Sequence, residues 1–577
     1  MKLAGEILFY LVMIVLLAAA FSPRLRAYVL QNRTIAALER RMRGVKGGYA
    51  LAVVLCLAAG LFVRCYRFGV VPQGLNQDGT MAGVEAYCLM MDGVDQHGTS
   101  WPVYFEAWGY SQMSTLYSWL LIPFIRVLGL SRFSLRLPML LVSLASLPVL
   151  WDFARRVAGK RFALLVLFIA VINPWHAYQS RWAIDCNLLP HLMLLGVYLL
   201  FLGRQSRPAL YASMAVFGVA VYAYALSLFS IPVLLVGAAV FYLARKKVRP
   251  ADVVICVLIF LAVSWPFLLT MAINALGLET VTLGKMTMPL FEASRRTNDM
   301  AFFAVRPYYT AVKNFFAFLS TFLFDLRSDM EWFDWAQTMY RFMPPVIVCG
   351  LYWMWRDRRA LAQSESRDDA RDGLMLILLW LGAAAVCGVI VGGVVNRCNA
   401  VFYPLILICA YGLWQMGKRL RLASAVAAVM LSAAFVCFGW VILTDERCNT
   451  YGGAWFQYGA LDALEMVRDS DADHIYVTTK NSGQGRLVMR GQLMFAHEID
   501  YSMLTDQREL TDSHGQTTGR YYSDRYIFQN FTDFVPDPQE NAVYVIGIGE
   551  KSRFDESLFT IVEVGVHAVV FPKNADL

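Results

Sequence analysis

The stretch PQGLNQDGTMAGVEAYCLMMDGVDQHGTSWPVYFEAWGYSQM, residues 72–113, is a polar interruption in a chain that is otherwise mostly apolar. Its carboxylates are interleaved with Tyr, Trp and Phe residues, and they include Asp78, Glu85 and Glu106. Acids crowded among aromatic side chains at a membrane edge suit a site for a hydroxylated or charged head group, with one acid acting as a base. We predict that Asp78 is this acid. The alternative is that these acids only keep an extramembrane loop soluble.

The composition is that of a polytopic membrane protein. Of 577 residues, 58% are hydrophobic and 16% are charged, and the mean hydropathy is +0.49; about a quarter of the residues are charged in soluble domains. The net charge of +8 comes from Lys and Arg in short links between apolar segments, which sets orientation in membranes and implies no nucleic-acid partner. The eleven cysteines are scattered singly, so the sequence predicts neither a disulfide framework nor a zinc site.

The charge of the links predicts which end of each span faces outside. The first apolar run, Ile7–Ala20, is interpreted as a membrane anchor, and the basic link after it is placed in the cytoplasm. The run Tyr49–Phe62 then leaves the cytoplasm, so residues 72–113 face outside. Leu116–Leu128 is short for a span of roughly twenty residues. The later basic links fall inside only if it does not cross, so we interpret it as an interfacial or re-entrant helix.

This alternation predicts about twelve transmembrane helices in all. They lie near residues 5–22, 48–66, 134–152, 162–175, 186–203, 209–224, 228–244, 251–272, 341–356, 374–395, 400–417 and 422–443. Several of these runs are short for a tilted helix.

We divide the chain into three parts. Residues 1–46 form an extra transmembrane helix with its basic cytoplasmic link, and residues 47–445 form the transmembrane catalytic domain, with extracytoplasmic loops 67–133 and 274–340. Residues 446–577 are predicted to be a small extracytoplasmic α/β domain, because helical and short buried-strand patterns replace the long apolar runs. The fold class is therefore a polytopic α-helical protein of the plasma membrane, with its active site and its C-terminal domain outside.

Two further outward links concentrate polar residues beside spans. One holds His176, Arg181 and Asp185, and the other holds Arg397 and Asn399. The orientation bias disfavours arginine at an outer membrane edge, so an arginine there is expected to have a binding partner. A phosphate suits this role, because the guanidinium offers it a planar fork of hydrogen-bond donors.

Each of these residues also has a simpler interpretation. Arg181 is placed to pair with Asp185 four residues on, and Arg397 to contact lipid head groups. A lone histidine such as His176, beside Trp and Pro, is more often a satisfied interfacial residue than a ligand. The faces of Trp101, Trp108, Trp332 and Trp335 suit stacking on sugars, but the aromatic belt of membrane proteins explains most of them.

The order of these motifs resembles a known family. In chain order, an outward first loop with Asp78 is followed by Gly93, Asp95, Gly98 and Pro102, by the Arg136–Pro138 start of a span, and by Pro174, Ser180, Arg181 and Asp185. Over roughly residues 47–445 the chain resembles the GT-C class of integral membrane glycosyltransferases, in its protein O-mannosyltransferase and lipid A aminoarabinose transferase branch.

The resemblance implies an inverting transfer of a sugar from a polyprenyl-phosphate donor to a glycan, lipid or protein acceptor on the outer face. Asp78 matches the position of the family's first-loop acid, the general base, and Arg397 matches a basic residue near the lipid phosphate. Arg181, Asp185, Glu106, Asn399 and His176 are further candidates for substrate binding. The chain carries Asn76-Gln77-Asp78-Gly79 where many members have two adjacent acids. This argues against a metal-bridged donor site; a divalent metal stays an alternative, and no cofactor is firmly predicted.

A transporter or flippase of lipid-linked glycans is the main alternative, since it would share the composition and could use the same arginines. It predicts ionisable residues in mid-span and repeat symmetry, whereas the spans here are nearly free of charge at their centres. A glycan-binding receptor is a third class, but twelve spans are excessive for an anchor.

Overall fold

The computed structural model describes residues 3–44, 47–108, 111–291, 300–324, 338–361, 368–444, 456–480, 485–502, 507–511, 517–532 and 534–573. Trp332 and Trp335 lie outside the described residues. Helices make up most of the first 444 residues: α1 Leu3–Phe21, α2 Pro23–Gln31, α3 Arg33–Gly44, α4 Tyr49–Cys65, α5 Gln77–Met91, α6 Leu116–Leu128, α7 Arg132–Ala158, α8 Lys160–Ile172, α9 Pro174–Gln179, α10 Leu188–Gly203, α11 Arg207–Ala220, α12 Ser227–Ala244, α13 Pro250–Leu276, α14 Pro307–Phe324, α15 Pro344–Leu361, α16 Asp368–Val391, α17 Phe402–Arg419 and α18 Arg421–Thr444.

Seven described helices are long and apolar enough to cross a membrane, or up to nine if the bent pairs α1–α2 and α3–α4 each count as one span. These nine coincide with nine of the twelve predicted spans. The other three fall on α8, α11 and α15. Helices α8 and α11 have 13 and 14 residues and are short for a bilayer core, and α15 ends in the charged run Arg356–Arg359. The chain is a polytopic membrane protein, and the full number of twelve stays a prediction.

The polar stretch 72–113 folds as one helix and one hairpin. Helix α5 is followed by strands β1 (Tyr104–Ala107) and β2 (Ser111–Ser114), which pair antiparallel. A second hairpin, β3 (Val281–Leu283) with β4 (Met286–Met288), follows α13 and docks on the first, since the Val103 amide donates to the Thr287 carbonyl at 2.9 Å. The predicted helix α6 has the bounds Leu116–Leu128 expected from the sequence.

The C-terminal residues form the small α/β domain that the sequence predicts. Its seven-stranded sheet has the order β10-β11-β9-β5-β8-β7-β6, and β5 pairs in parallel with both β8 and β9. The elements are α19 Ala460–Met466, β5 His474–Thr478, α20 Gly485–His497, β6 Gln507–Thr511, β7 Thr517–Tyr522, β8 Tyr526–Gln529, β9 Ala542–Gly547, β10 Phe559–Val564 and β11 His567–Pro572.

This domain touches the rest of the chain directly. Arg132 at the start of α7 donates to Asp462 on α19, and α20 lies against α5. Strand β9 is buried along its whole length, as expected of a strand with neighbours on both sides. The helix α20 was not predicted from the sequence, and its position beside α5 brings the C-terminal domain close to Asp78.

Candidate active site

The first turn of α5 places Asp78. The side chain of Asn76 caps this helix, because its Oδ1 accepts a hydrogen bond of 3.0 Å from the Asp78 amide. The next residue, Gly79, allows a close approach to another link. A Cβ atom at this position would lie 2.3 Å from the Ala183 carbonyl oxygen, well inside van der Waals contact. Only glycine therefore lets the first turn of α5 lie against the link that contains Asp185.

The carboxylate of Asp78 is held by a tryptophan. Trp108 Nε1 donates a 3.0 Å hydrogen bond to Asp78 Oδ1, while Asp78 itself is half-buried. Trp108 follows β1 with φ +59°, a left-handed conformation that is strained for a bulky residue. The indole N–H therefore orients the carboxylate.

Asp185 and Asn399 join the link before α10 to the link before α17. Asp185 begins the short 3₁₀ helix Asp185–Asn187, and its carboxylate accepts hydrogen bonds from the amides of Cys186 and Ser114, at 2.7 and 3.2 Å. Asn399 is buried in the 3₁₀ helix Asn399–Val401, and its Nδ2 donates to the Cys186 carbonyl at 2.6 Å. These bonds fix the link before α10 against the link before α17.

Arg397 lies in the link between α16 and α17. Its amide donates to the Val394 carbonyl at 3.1 Å, which closes a turn, and its side chain is half-buried. The same link packs tightly on α14, because a Cβ atom on Gly393 would lie 2.4 Å from the Ala317 carbonyl oxygen. The guanidinium is thus carried on a short link that is fixed at both ends.

These elements enclose a cavity of about 870 Å³. Asp78, Asp185 and Arg397 all line it, and apolar side chains at the ends of α12 and α13, such as Phe229 and Met271, line the rest. Its other polar lining residues are Tyr104, Gln112, Tyr224, Asn274 and Asn396. The structure therefore brings an acid of the first loop and an arginine of a late loop to one place, beside a second acid and next to an apolar wall.

Sequence and structure comparisons agree with this architecture. A family model described as dolichyl-phosphate-mannose-protein mannosyltransferase matches residues 113–269. Among curated proteins, no sequence matches the chain significantly. The crystal structure of ArnT from Cupriavidus metallidurans in the apo state superimposes with a TM-score of 0.53 at 13% identity, covering 91% of this chain and 98% of that one. The chain has the GT-C fold. The structure of the same ArnT bound to undecaprenyl phosphate gives 0.52 at 12% identity, covering 90% and 97%.

The resemblance predicted from the sequence is thus confirmed at the level of the GT-C fold, and the matched family model is one of glycosyltransferases. The matched residues run from the end of β2 into α13 and include Asp185. They include neither Asp78 nor Arg397, so the roles of those two residues depend on the geometry of the cavity in this GT-C chain.

Two predicted site residues, Arg181 and His176, are buried and do not line the cavity. The Arg181 guanidinium is buried and donates to the backbone carbonyls of Val63, Val71 and Tyr66. These bonds tie the link before α10 to the end of α4. The placement supports neither the predicted phosphate contact nor the alternative pairing with Asp185, and it gives Arg181 a packing role.

His176 belongs to a buried polar network between α9 and its neighbours. Its Nδ1 lies 2.9 Å from Arg64 on α4, and its Nε2 lies 3.1 Å from Ser146 and 3.2 Å from the Tyr403 hydroxyl. His191 on α10 contacts the same hydroxyl at 2.7 Å. The simpler interpretation of His176, as a satisfied histidine, agrees with these contacts.

Glu106 is exposed on β1, whereas its cross-strand neighbour Gln112 is buried and lines the cavity. Substrate binding by Glu106 stays a prediction.

Gln112, Asn274 and Tyr224 were not identified from the sequence as cavity residues. The signal available for Asn274 was an amide at the outer end of a long apolar helix. Within the described residues, no group of three or more His, Cys, Asp or Glu side chains is arranged to hold a metal ion.

Glu85 on α5 and Asp95, four residues after the end of this helix, are two buried acids with raised pKa values. Glu85 is fully buried, and both its oxygens accept hydrogen bonds from Gln96; burial and the nearby Asp95 carboxylate raise its pKa well above the usual value. Burial also raises the pKa of Asp95 to about 6, against the effect of backbone amides of His97 and Thr99 that donate to its Oδ1.

We expect the stability of the detergent-solubilised protein to depend on pH through Asp95. A carboxyl whose pKa is higher in the folded than in the unfolded state binds its proton more tightly when folded. The contribution of Asp95 to the Tm should therefore fall as the pH rises from about 4 to about 6 and then level off. Asp95→Asn keeps the Oδ1 acceptor and should flatten part of this fall, while Asp471→Asn, at an exposed acid, should not. An unchanged slope in Asp95→Asn would contradict the assignment.

Proposed function

We propose that the chain transfers a sugar from a polyprenyl-phosphate-linked donor to an acceptor at the extracytoplasmic face of the membrane, with inversion at the anomeric carbon. The observation that carries this proposal is that Asp78 and Arg397, more than three hundred residues apart, line one cavity. The acid supplies a base, and the arginine supplies a fixed positive charge. Direct displacement of a phosphate leaving group needs both.

In the proposed reaction, Asp78 removes the proton of an acceptor hydroxyl while that oxygen attacks the anomeric carbon. The new bond joins the acceptor oxygen to the sugar, and the bond from the anomeric carbon to the phosphate oxygen breaks. Polyprenyl phosphate leaves with the bonding electron pair, and Arg397 stabilises the negative charge that develops on it. Trp108 keeps the carboxylate of Asp78 oriented throughout.

The apolar wall of the cavity favours a lipid-linked donor. Residues at the start of α12 and the end of α13, including Leu228, Phe229 and Met271, face the same space as the three charged residues. A charged end beside an apolar wall suits a phosphate joined to an isoprenoid chain. The similar fold of ArnT, a protein whose structure was determined with undecaprenyl phosphate, is consistent with such a donor.

The distribution of charge supports an outward-facing cavity. Helices α12 and α16 have one end at the cavity, near Leu228 and Val391. At their other ends, Arg245 and Lys247 both pair with Asp368 at 2.9 Å. Because basic residues accumulate on the cytoplasmic side of membrane proteins, these ends are assigned to the cytoplasm and the cavity to the opposite face.

A panel of donors tests the proposal. Purified protein in proteoliposomes is given polyprenyl-phosphate sugars or nucleotide sugars, together with a peptide, a lipid and a glycan that each offer hydroxyl groups, and release of polyprenyl phosphate is measured. We expect release and transfer from at least one lipid-linked sugar and none from nucleotide sugars. Movement of the intact lipid-linked sugar between leaflets without any transfer would instead establish the transporter alternative.

A further inference from the structure

The C-terminal domain reaches the helix that carries Asp78 through a buried glutamine. Gln492 on α20 is inaccessible to solvent, and its Nε2 donates to the Leu75 carbonyl and to Thr80 Oγ1, both at 3.0 Å. Leu75 belongs to the turn that leads into α5, and Thr80 belongs to its first turn. One side-chain amide from a distant part of the sequence thus bridges both sides of Asp78.

The bonds continue from Gln492 to the backbone of Asp78. Thr80 Oγ1 accepts from Gln492 and donates to the Asn76 carbonyl at 3.0 Å. The Asn76 side chain in turn accepts the bond from the Asp78 amide. The position of the Asp78 backbone is therefore set by a hydrogen-bonded path that begins in the C-terminal domain.

The packing between the two helices leaves little freedom for movement. A Cβ atom on Gly83 of α5 would lie 2.7 Å from the Phe495 ring of α20. A Cβ atom on Gly491 of α20 would lie 4.0 Å from both Thr80 and Trp108. The surface of α20 therefore lies against the helix of Asp78 and close to the tryptophan that holds its carboxylate.

A buried glutamine at position 492 lowers the stability of the fold if its only role is packing. Its Oε1 is buried and has no hydrogen-bond partner within the described residues. A buried acceptor without a partner destabilises a fold, because it loses its hydrogen bonds to water on folding. An apolar side chain would avoid this penalty but would supply neither of the two donated bonds.

We propose that the C-terminal domain is a working part of the active site, with Gln492 as a positioning residue that sets Asp78 through Thr80 and Asn76. The proposal rests on the proposed function of Asp78 as the base. It implies that loss of the Gln492–Thr80 bond misplaces the base relative to the acceptor hydroxyl. Misplacement by about 1 Å lowers the rate of a positioned reaction by a factor of about 10².

Thr80 offers a matched pair of variants. Thr80→Val keeps the shape of the side chain and removes the hydroxyl, whereas Thr80→Ser keeps the hydroxyl. We expect Thr80→Val to lower kcat by about 10- to 100-fold while the KM for the lipid-linked donor changes by less than about threefold. Thr80→Ser should restore kcat to within about threefold of the unmodified protein. Gln492→Leu should resemble Thr80→Val, and the double variant should be no worse than the poorer single variant.

The control for general damage to the domain is Arg525→Ala, which removes a bond to the Ser470 carbonyl within the C-terminal domain. We expect it to lower the Tm without lowering kcat in the folded fraction. If Thr80→Val and Gln492→Leu likewise lower only the Tm, or if Thr80→Ser fails to restore kcat, the positioning role is wrong. If Gln492→Leu does not fold, the Thr80 pair alone decides.

The two proposals can fail separately. Full activity of Asp78→Asn would remove Asp78 from the reaction and with it the proposed function. An inactive Asp78→Asn together with an unchanged kcat in Thr80→Val would leave the proposed function standing and reject only the role of the C-terminal domain.

Discussion

Asp78→Asn is expected to lower the rate of sugar transfer by a factor of about 10²–10⁴, the usual contribution of a general base. The substitution removes the basic oxygen pair but keeps an Oδ1 that accepts the bond from Trp108 Nε1, so the hairpin and the first turn of α5 should keep their positions. The KM for the donor should change little, because the acid acts on the acceptor hydroxyl. The rate is measured as polyprenyl phosphate released from a defined lipid-linked sugar under saturating donor.

Glu279→Gln provides the matched control for this variant. Glu279 is an exposed acid just after α13 and does not line the cavity, so its neutralisation removes the same charge from the protein without touching the cavity. We expect it to retain the full rate. Transfer by Asp78→Asn at the rate of Glu279→Gln would show that Asp78 is not the base.

Arg397→Ala is expected to lower the rate by a factor of about 10²–10³, the typical effect of removing one stabilising contact to charge in the transition state. Loss of the guanidinium should also weaken the binding of free polyprenyl phosphate, because the same contact is available to the ground-state dianion. Arg397→Lys should recover part of the rate, since it restores the charge but not the planar fork of donors. Both quantities are measured on the same preparations, by release of the product and by displacement of a labelled lipid phosphate.

Arg306→Ala serves as the control for charge removal. Arg306 is exposed at the start of the segment that leads into α14 and does not line the cavity. Equal losses in Arg306→Ala and Arg397→Ala would indicate a general attraction of anionic lipid to the outer surface. Such a result would contradict a specific role for Arg397.

The sequence predicted the membrane architecture well because its signals are local. Length and hydrophobicity of each run decide whether it forms a spanning helix, and the bounds of α6 follow from apolar residues between Ser114-Thr115 and Gly129. The class of the C-terminal domain followed in the same way from short buried strands such as Ala542–Gly547.

The contents of the cavity were predicted only in part. Asp78 could be selected because it lies among the crowded acids and aromatic residues of the first loop. Arg397 and Asp185 could be selected from polar clusters beside span ends that carry few basic residues. The hydrogen-bond partners of Arg181 could not be predicted by the same rule. Its guanidinium satisfies carbonyls at the end of α4, and that pairing depends on how α4 and α9 pack.

The contacts that orient Asp78 were beyond sequence reasoning. In the sequence, Trp108 matched the aromatic belt of membrane proteins. Its indole reaches the Asp78 carboxylate because of the left-handed backbone conformation after β1, which the sequence did not predict. Gln492 lies more than four hundred residues from Thr80, in a helix that the sequence did not reveal. Long-range hydrogen bonds of this kind leave no periodic trace in one sequence.

The position of bound polyprenyl phosphate in this protein is the most direct test of the central claim. A structure of the complex should place the phosphate in the cavity, with its oxygens about 2.7–2.9 Å from the Arg397 guanidinium and the lipid chain along the apolar side chains of α12 and α13. Asp78 should then face the side of the phosphate where a sugar would be attached. A phosphate bound elsewhere, for example beside Arg245 and Lys247 at the opposite ends of the helices, would contradict the proposed reaction.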